Sequence, residues 1–152
     1  MANPLYGQNK ADGNIGWVKN SSIKAHGTLA DNLVLVARDM VYSFAHTCDP
    51  AAARNITTPT AALIVAAMKD KASDGKCVTG DTFQFSFINL GTAGADETCT
   101  LVAGSGVTIV GFADVENSDT THDAFSVGSS LWGVHVTNAK AGSEAVSVVR
   151  LA

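Results

Sequence analysis

The chain has 152 residues, the usual length of one domain with its own apolar core, and only 16% of them are charged, which favours sheets and tight turns over long solvated helices. Its formal charge of −4 divides unevenly, because residues 1–30 carry three lysines against one aspartate and the remainder is acidic. An acidic body without a clustered basic face argues against nucleic acid as a partner, and the lack of any run near the ~18 apolar residues of a membrane span argues against a membrane protein.

Residues 1–31 are predicted to form an extended N-terminal arm. Glycines and asparagines punctuate this segment, and its apolar residues follow no period, so it cannot build a core of its own. Its larger side chains would be costly to leave in water, so we expect the arm to lie on a partner. The candidate contact residues of the arm are Leu5, Tyr6, Lys10, Trp17, Lys19 and Lys24.

The valine-rich segment "NLVLVARDMVYSFAH" (32–46) is predicted to form strands, and "ARNITTP" (53–59) a further short one. One helix of about three turns is predicted to follow. Thr58 is expected to be its N-cap and Pro59 its first helical residue, ahead of a run of Ala, Leu and Met that ends in lysines before Gly75.

The segment "DTFQFSFINLG" (81–91) has phenylalanine at every second position. Because side chains alternate between the two faces of a strand, Phe83, Phe85 and Phe87 should share one buried face. We therefore expect this strand to lie at the centre of a sheet.

The rest of the chain consists of short Val-, Thr- and aromatic-rich runs separated by Gly, Asn, Asp or Ser. Turn signals about every 10 residues are typical of a sandwich or a barrel rather than of a repeating βαβ unit. The sequence therefore predicts an all-β body over residues 32–152, mainly an antiparallel β-sandwich or barrel-like structure, with one short α-helix.

No catalytic motif is evident. Ser105 lacks the frame of a hydrolase nucleophile, and the glycines around it are better explained by a β-turn between Val102 and Val107. The acids occur in pairs in turn-like segments, at Asp96 with Glu97 and at Asp114 with Glu116, where solvated carboxylates are ordinary. We therefore expect no enzyme activity and no cofactor.

Metal binding is also not expected. His46 and Cys48 would share a strand face, but no spacing supports further ligands from His26, His122 or His135. The three cysteines are Cys48, Cys77 and Cys99, an odd number at wide spacing, so they are predicted to be buried free thiols rather than a disulfide framework.

The motifs "AARNITTPTAALI", "VTGDTFQFSFINLG", "DETCTLVAGSGVTIVG" and "AVSVVRL" together resemble a pattern of the capsid decoration, or cement, proteins of tailed bacteriophages. The resemblance covers residues 52–152, and its motifs are structural. It implies a β-rich body on the outer surface of the virion, expected as a homotrimer, with an arm that reaches across neighbouring major capsid proteins and so stabilises the shell. Because "MANPLYGQNK" lacks the apolar core of a secretory signal, synthesis in the host cytoplasm is expected.

Three alternatives remain open, one of them a small hydrolase that uses residues outside the recognised motifs. Related patterns also occur in phage fibre and tail proteins, so the place within the virion is not fixed. A receptor- or glycan-binding β module would instead need an exposed Trp132 beside His135, although a tryptophan in a strand more often belongs to the core.

Overall fold

A computed structural model describes residues 22–91, 97–117 and 128–152. In chain order these residues form β1 (Ser22–Leu29), β2 (Leu33–Val34), α1 (Ala37–Tyr42), β3 (Ser43–Pro50), β4 (Arg54–Thr57), α2 (Ala61–Lys71), β5 (Thr82–Asn89), β6 (Cys99–Val102), β7 (Val107–Val110), β8 (Asp114–Val115), β9 (Ser129–Asn138) and β10 (Ala145–Arg150). None of the described helices is long and apolar enough to cross a membrane.

The described strands form two sheets, and from β1 to β9 the chain passes alternately between them. The six-stranded sheet has the order β1-β3-β5-β9-β10-β7, and the four-stranded sheet has the order β2-β4-β6-β8. Because β1, β3 and β5 run parallel, as do β2, β4 and β6, the chain follows the path of a three-rung parallel β-solenoid. We name residues 22–42 the first rung, 43–71 the second and 82–102 the third.

The predicted β-rich body is confirmed, but the expectation of mainly antiparallel pairing needs correction. Among the described residues, five of the eight strand pairings are parallel, and antiparallel pairing is limited to β9 with β5 and β10, and β6 with β8. The return segments that contain α1 and α2 bring successive strands of each sheet back in the same direction. Alternating apolar residues indicate which face of a strand is buried, but they do not indicate whether the adjacent strand runs parallel or antiparallel to it.

The described residues contain two helices where one was predicted. Residues 37–42, expected within a strand, form α1, in which Met40 and Val41 are buried and which packs against α2. A short run of this composition is compatible with either a strand or a helix, and the packing against α2 decides between them.

Helix α2 begins at Ala61, two residues later than predicted. The hydroxyl of Thr60 accepts a hydrogen bond from the Leu63 amide at 3.3 Å and caps the helix. The hydroxyl of Thr58 instead accepts from the Gly104 amide at 2.8 Å, which ties the second rung to the turn after β6. Both threonines have the chemistry of a cap, so the tertiary contact of Thr58 determines which one caps α2.

The predicted arm also needs correction in its last part, because residues 22–29 form β1, which pairs with β3. Only Leu29 of this edge strand is buried, so its sequence carries no apolar period. Residues 1–21 lie outside the described residues, and with them the predicted contact residues other than Lys24. These are Leu5, Tyr6, Lys10, Trp17 and Lys19.

The core lies between the two sheets and the helices, with β5 in the interior of the six-stranded sheet. Phe85 and Phe87 are buried, and Phe83 is partly buried against the same core. Phe85 lies opposite Trp132 of β9, and Phe83 lies opposite Val134. The alternating phenylalanines therefore share the face that packs on the core.

Candidate interaction surface

Exposed apolar side chains lie on the first rung and at the adjoining start of β3. Ile23, Val34 and Val36 of the first rung and Phe44 of the second are between 50% and 65% exposed, and we call these four side chains the first-rung patch. β1 and β2 are the terminal strands of their sheets, so among the described residues neither has a strand partner on its outer side. Large exposed apolar side chains beside a free sheet edge are typical of an interaction surface.

The edge strand is irregular at two places. The register between β1 and β3 passes from Ser22 opposite Ser43 to Ile23 opposite Ala45, which leaves Phe44 without an opposite residue. The second irregularity contains Gly27, whose φ of 65° is in the left-handed region that favours glycine. Bulges at a sheet edge interrupt the row of backbone groups that another strand would use. We therefore expect this edge to bind partners through its side chains more than by adding a strand.

Lys24 was predicted to contact the partner through its charge. Its ammonium lies 2.9 Å from Asp39 of α1, and its side chain remains 44% exposed. The ion pair joins β1 to α1 at the margin of the first-rung patch. Lys24 is therefore held in the body of the protein while part of its side chain faces solvent.

Two histidines join the first rung to the second. Nε2 of His26 lies 3.1 Å from Nδ1 of His46, and the two rings are stacked at an interplanar angle of 11°. His46 is fully buried with its ring edge-on to Phe85, and its Nε2 has no hydrogen-bond partner in the described part of the chain. Burial, and then the neighbouring His26, lower the pKa of His46 to about 4. At neutral pH His46 is therefore uncharged.

A second exposed apolar surface lies at the opposite edge of the six-stranded sheet. Val110 of β7 and Phe112 just after it are 44% and 56% exposed, and we call this pair the far-edge patch. The guanidinium of Arg150 lies over the Phe112 ring at 5.9 Å and over the Trp132 ring at 5.6 Å. Phe112 is thus held against the body while half of its surface faces solvent.

The residues considered for metal binding do not converge. The described ranges 22–91, 97–117 and 128–152 contain no group of three or more potential metal ligands. His26 and His46 are adjacent, but Cys48 lies against Cys99, and His135 is exposed on β9. His122 lies outside the described residues.

The other residues considered for chemistry have structural surroundings. A turn follows β6, with the Val107 amide donating to the Gly104 carbonyl at 3.0 Å, although the strands it joins belong to different sheets. Asp114 accepts a hydrogen bond from the Thr100 hydroxyl at 2.6 Å, which links β6 to β8. Asp96 lies outside the described residues.

The glycan-binding pair of Trp132 and His135 is not present as a surface. Trp132 is fully buried, and its indole N–H donates to the Ser130 hydroxyl at 2.6 Å. His135 is exposed and lies three residues further along β9, on the other face. The prediction that Trp132 and His135 form a glycan site is therefore wrong, and Trp132 belongs to the core.

The sequence did not indicate either apolar patch. Isolated valines, one isoleucine and two phenylalanines in or beside short strands resemble core residues, and only the folded structure shows that they are exposed. Comparisons of the chain with protein-family models, curated proteins and solved structures found no match.

Proposed function

We propose that this protein decorates the capsid of a tailed bacteriophage, binding the outer surface of the shell and joining neighbouring major capsid proteins. The observation that carries the proposal is the first-rung patch, an exposed apolar surface at the sheet edge from which residues 1–21 extend in sequence. Apolar anchors in the N-terminal segment and on the adjoining edge would together bind one continuous strip of the shell.

The energetics suit a protein that acts in many copies. A well-buried apolar side chain contributes about 1.5 to 3 kcal/mol, less the entropy lost on ordering the segment that carries it. Four side chains of the first-rung patch, together with Tyr6 and Trp17 of the N-terminal segment, would give a contact of useful affinity. Repetition of that contact over a shell would strengthen the whole assembly.

The charge distribution supports the same orientation. Residues 1–30 have a net positive charge, and the rest of the chain is acidic. Basic side chains of the N-terminal segment would be attracted to acidic groups of a capsid subunit, and the acidic body would remain turned to solvent. This attraction would be only partly screened by salt, because the apolar anchors contribute the remainder of the contact.

We propose further that the protein forms a homotrimer. The far-edge patch is exposed at the other end of the six-stranded sheet and takes no part in the proposed contact with the shell, so three copies of it would pack together around a three-fold axis. Cyclic symmetry of this kind gives a closed ring. Native mass spectrometry tests this, because Phe112→Ser should yield monomers, whereas a trimer that persists would exclude this interface.

Immunogold labelling of purified virions tests the proposed location. Label over the outer surface of the capsid is the expected result, and label restricted to tails or fibres would favour the alternative that the protein is a tail or fibre component. If virions of the phage that encodes the chain carried no label at all, the protein would have no structural role in the particle.

A further inference from the structure

We propose that Cys48 and Cys99 form a redox-sensitive cross-link between the two sheets. The pair is present as two thiols when the protein is made and is oxidised to a disulfide by a peroxide. The two sulfur atoms are 3.1 Å apart, about 1 Å more than the ~2.05 Å of a disulfide bond. Both cysteines are free and buried, at 1% exposure each. A disulfide would therefore need only a small approach of groups that already touch.

The position of the pair gives the bond a structural consequence. Cys48 lies on β3 of the six-stranded sheet, and Cys99 lies on β6 of the four-stranded sheet, 51 positions later in the chain. Next to Cys48 on β5 is Asn89, whose side-chain amide donates to the carbonyls of Glu97 and Val115 at 2.6 and 2.9 Å. Hydrogen bonds thus already hold the two sheets together beside the thiols, and a disulfide would make this junction covalent.

The chemistry balances with hydrogen peroxide as the oxidant. One thiol sulfur attacks a peroxide oxygen, so that an S–O bond forms, the O–O bond breaks and water leaves with the thiol proton. The second sulfur then attacks the sulfenic sulfur, so that the S–S bond forms, the S–O bond breaks and a second water leaves. Two thiols are oxidised by two electrons, and one peroxide is reduced to two waters.

The surroundings of the thiols set the rate. The hydrogen bond to Cys99, followed by burial, raises the pKa of Cys48, so this sulfur stays protonated and is a slow nucleophile in the folded protein. A small oxidant can reach a buried site where a peptide disulfide cannot. The reduced pair would therefore persist in a reducing cytoplasm and close slowly after the protein meets peroxide outside the cell.

Cys77 provides an internal control for the oxidation of Cys48 and Cys99. Its sulfur lies 4.0 Å from the sulfur of Met68, and burial, then Asp81, raise its pKa to about 11. Cys77 has no cysteine neighbour, so it cannot form the same bond within one chain. A change in Cys77 should leave the behaviour of the Cys48–Cys99 pair unaltered.

The experiment treats the purified, reduced full-length protein with dilute hydrogen peroxide and then counts free thiols after denaturation. Reduced protein should show three thiols, and oxidised protein should show one, with a mass lower by two hydrogen atoms and full reversal by dithiothreitol. Because the bond closes a loop of about 50 residues, the melting temperature should rise on the order of 10 °C.

Two variants complete the test. Cys77→Ser should keep the mass loss and the rise in melting temperature, and Cys99→Ser should lose both. Peptide mapping should place the disulfide between Cys48 and Cys99. Three thiols after oxidation of the wild type, a disulfide between two chains, or oxygen adducts on Cys48 without a disulfide would each overturn the proposal.

Discussion

The centre of the six-stranded sheet and its first rung use the same strand geometry for opposite purposes. In β5 and β9, alternate residues such as Phe85, Trp132 and Val134 are completely buried and face one core. In β1, by contrast, Leu29 alone is buried, and Ile23 remains mostly exposed. The centre therefore provides the stability of the fold, and the first rung presents side chains to the outside.

This difference separates two kinds of apolar residue. A phenylalanine at the centre contributes to the free energy of folding because its ring loses all contact with water. An exposed side chain of the first-rung patch contributes little until a partner covers it. Substitutions at the centre should therefore change the free energy of unfolding, and substitutions in the first-rung patch should leave it nearly unchanged.

The largest effect should come from Phe85→Ala. Removing a fully buried ring leaves a cavity, so the free energy of unfolding should fall by about 3 to 5 kcal/mol. Urea denaturation measures this loss, and Ile23→Ala is the matched control in an exposed strand, where a change within about 0.5 kcal/mol is expected. Equal losses for the two variants would remove the distinction between centre and edge.

Acid should weaken the junction between the first and second rungs. The pKa of His46 is about 4 in the folded protein and 6.5 when unperturbed. Between these two pH values the unfolded chain binds a proton at His46 and the folded protein does not. The contribution of neutral His46 to the free energy of unfolding is fully present well above pH 6.5. It is lost, by about 3 kcal/mol, as the pH drops through 4, and below that pH His46 causes no further loss. Lowering of the pKa of His26, mainly by burial, acts in the same direction.

The control for this pH dependence is His46→Gln, which removes the titrating ring and leaves the carboxylates and the nearby Lys24 and Asp39 in place. Unfolding free energies of both proteins between pH 4 and 7 give the comparison, and the variant should show the shallower slope. Parallel curves would mean that His46 is not held in its neutral form.

Gly104→Ala should lower the stability of the fold by an intermediate amount, because Gly104 packs closely against the backbone of the second rung. A Cβ at this position would lie 2.5 Å from the Thr58 carbonyl and 2.6 Å from the Pro59 carbonyl, both backbone atoms of the second rung. Separating these segments should cost about 1 to 3 kcal/mol. Thermal unfolding checks this, with the exposed neighbour Ser105→Ala expected to melt like the wild type.

Lys24→Met should give the smallest effect. It removes the ion pair with Asp39, but the lysine side chain is 44% exposed, so a loss of about 1 kcal/mol or less is expected. High salt should reduce the difference from the wild type further. A loss near that of Phe85→Ala would place Lys24 among the residues that hold the fold together.

The comparison also explains how far the sequence could predict the structure. The alternating phenylalanines of β5 and the helical run from Ala61 are local patterns, so the strand and the existence of α2 could be predicted. The start of α2 could not, because Thr58 and Thr60 are equally suitable caps until the contact with Gly104 forms. The strand and the presence of the helix are thus local features, whereas the start of the helix depends on a distant contact.

The remaining features depend on contacts between distant segments. The direction of the strands depends on the return segments, and α1 depends on packing against α2. An edge strand that faces water has no apolar period, so the sequence predicts an arm where β1 forms. The adjacency of Cys48 and Cys99, which lie on different sheets, follows only from the way the rungs stack.

The proposed role in a capsid requires that the N-terminal segment binds the shell and that the body folds without it. The direct measurement is co-sedimentation of the full chain and of residues 22–152 with shells assembled from the major capsid protein of the proposed phage. The truncated protein keeps β1, so it should retain the wild-type melting temperature. Its binding to shells should fall at least tenfold, since the loss of one well-buried anchor already accounts for that factor. Undiminished sedimentation of a folded residue 22–152 protein would contradict the claim.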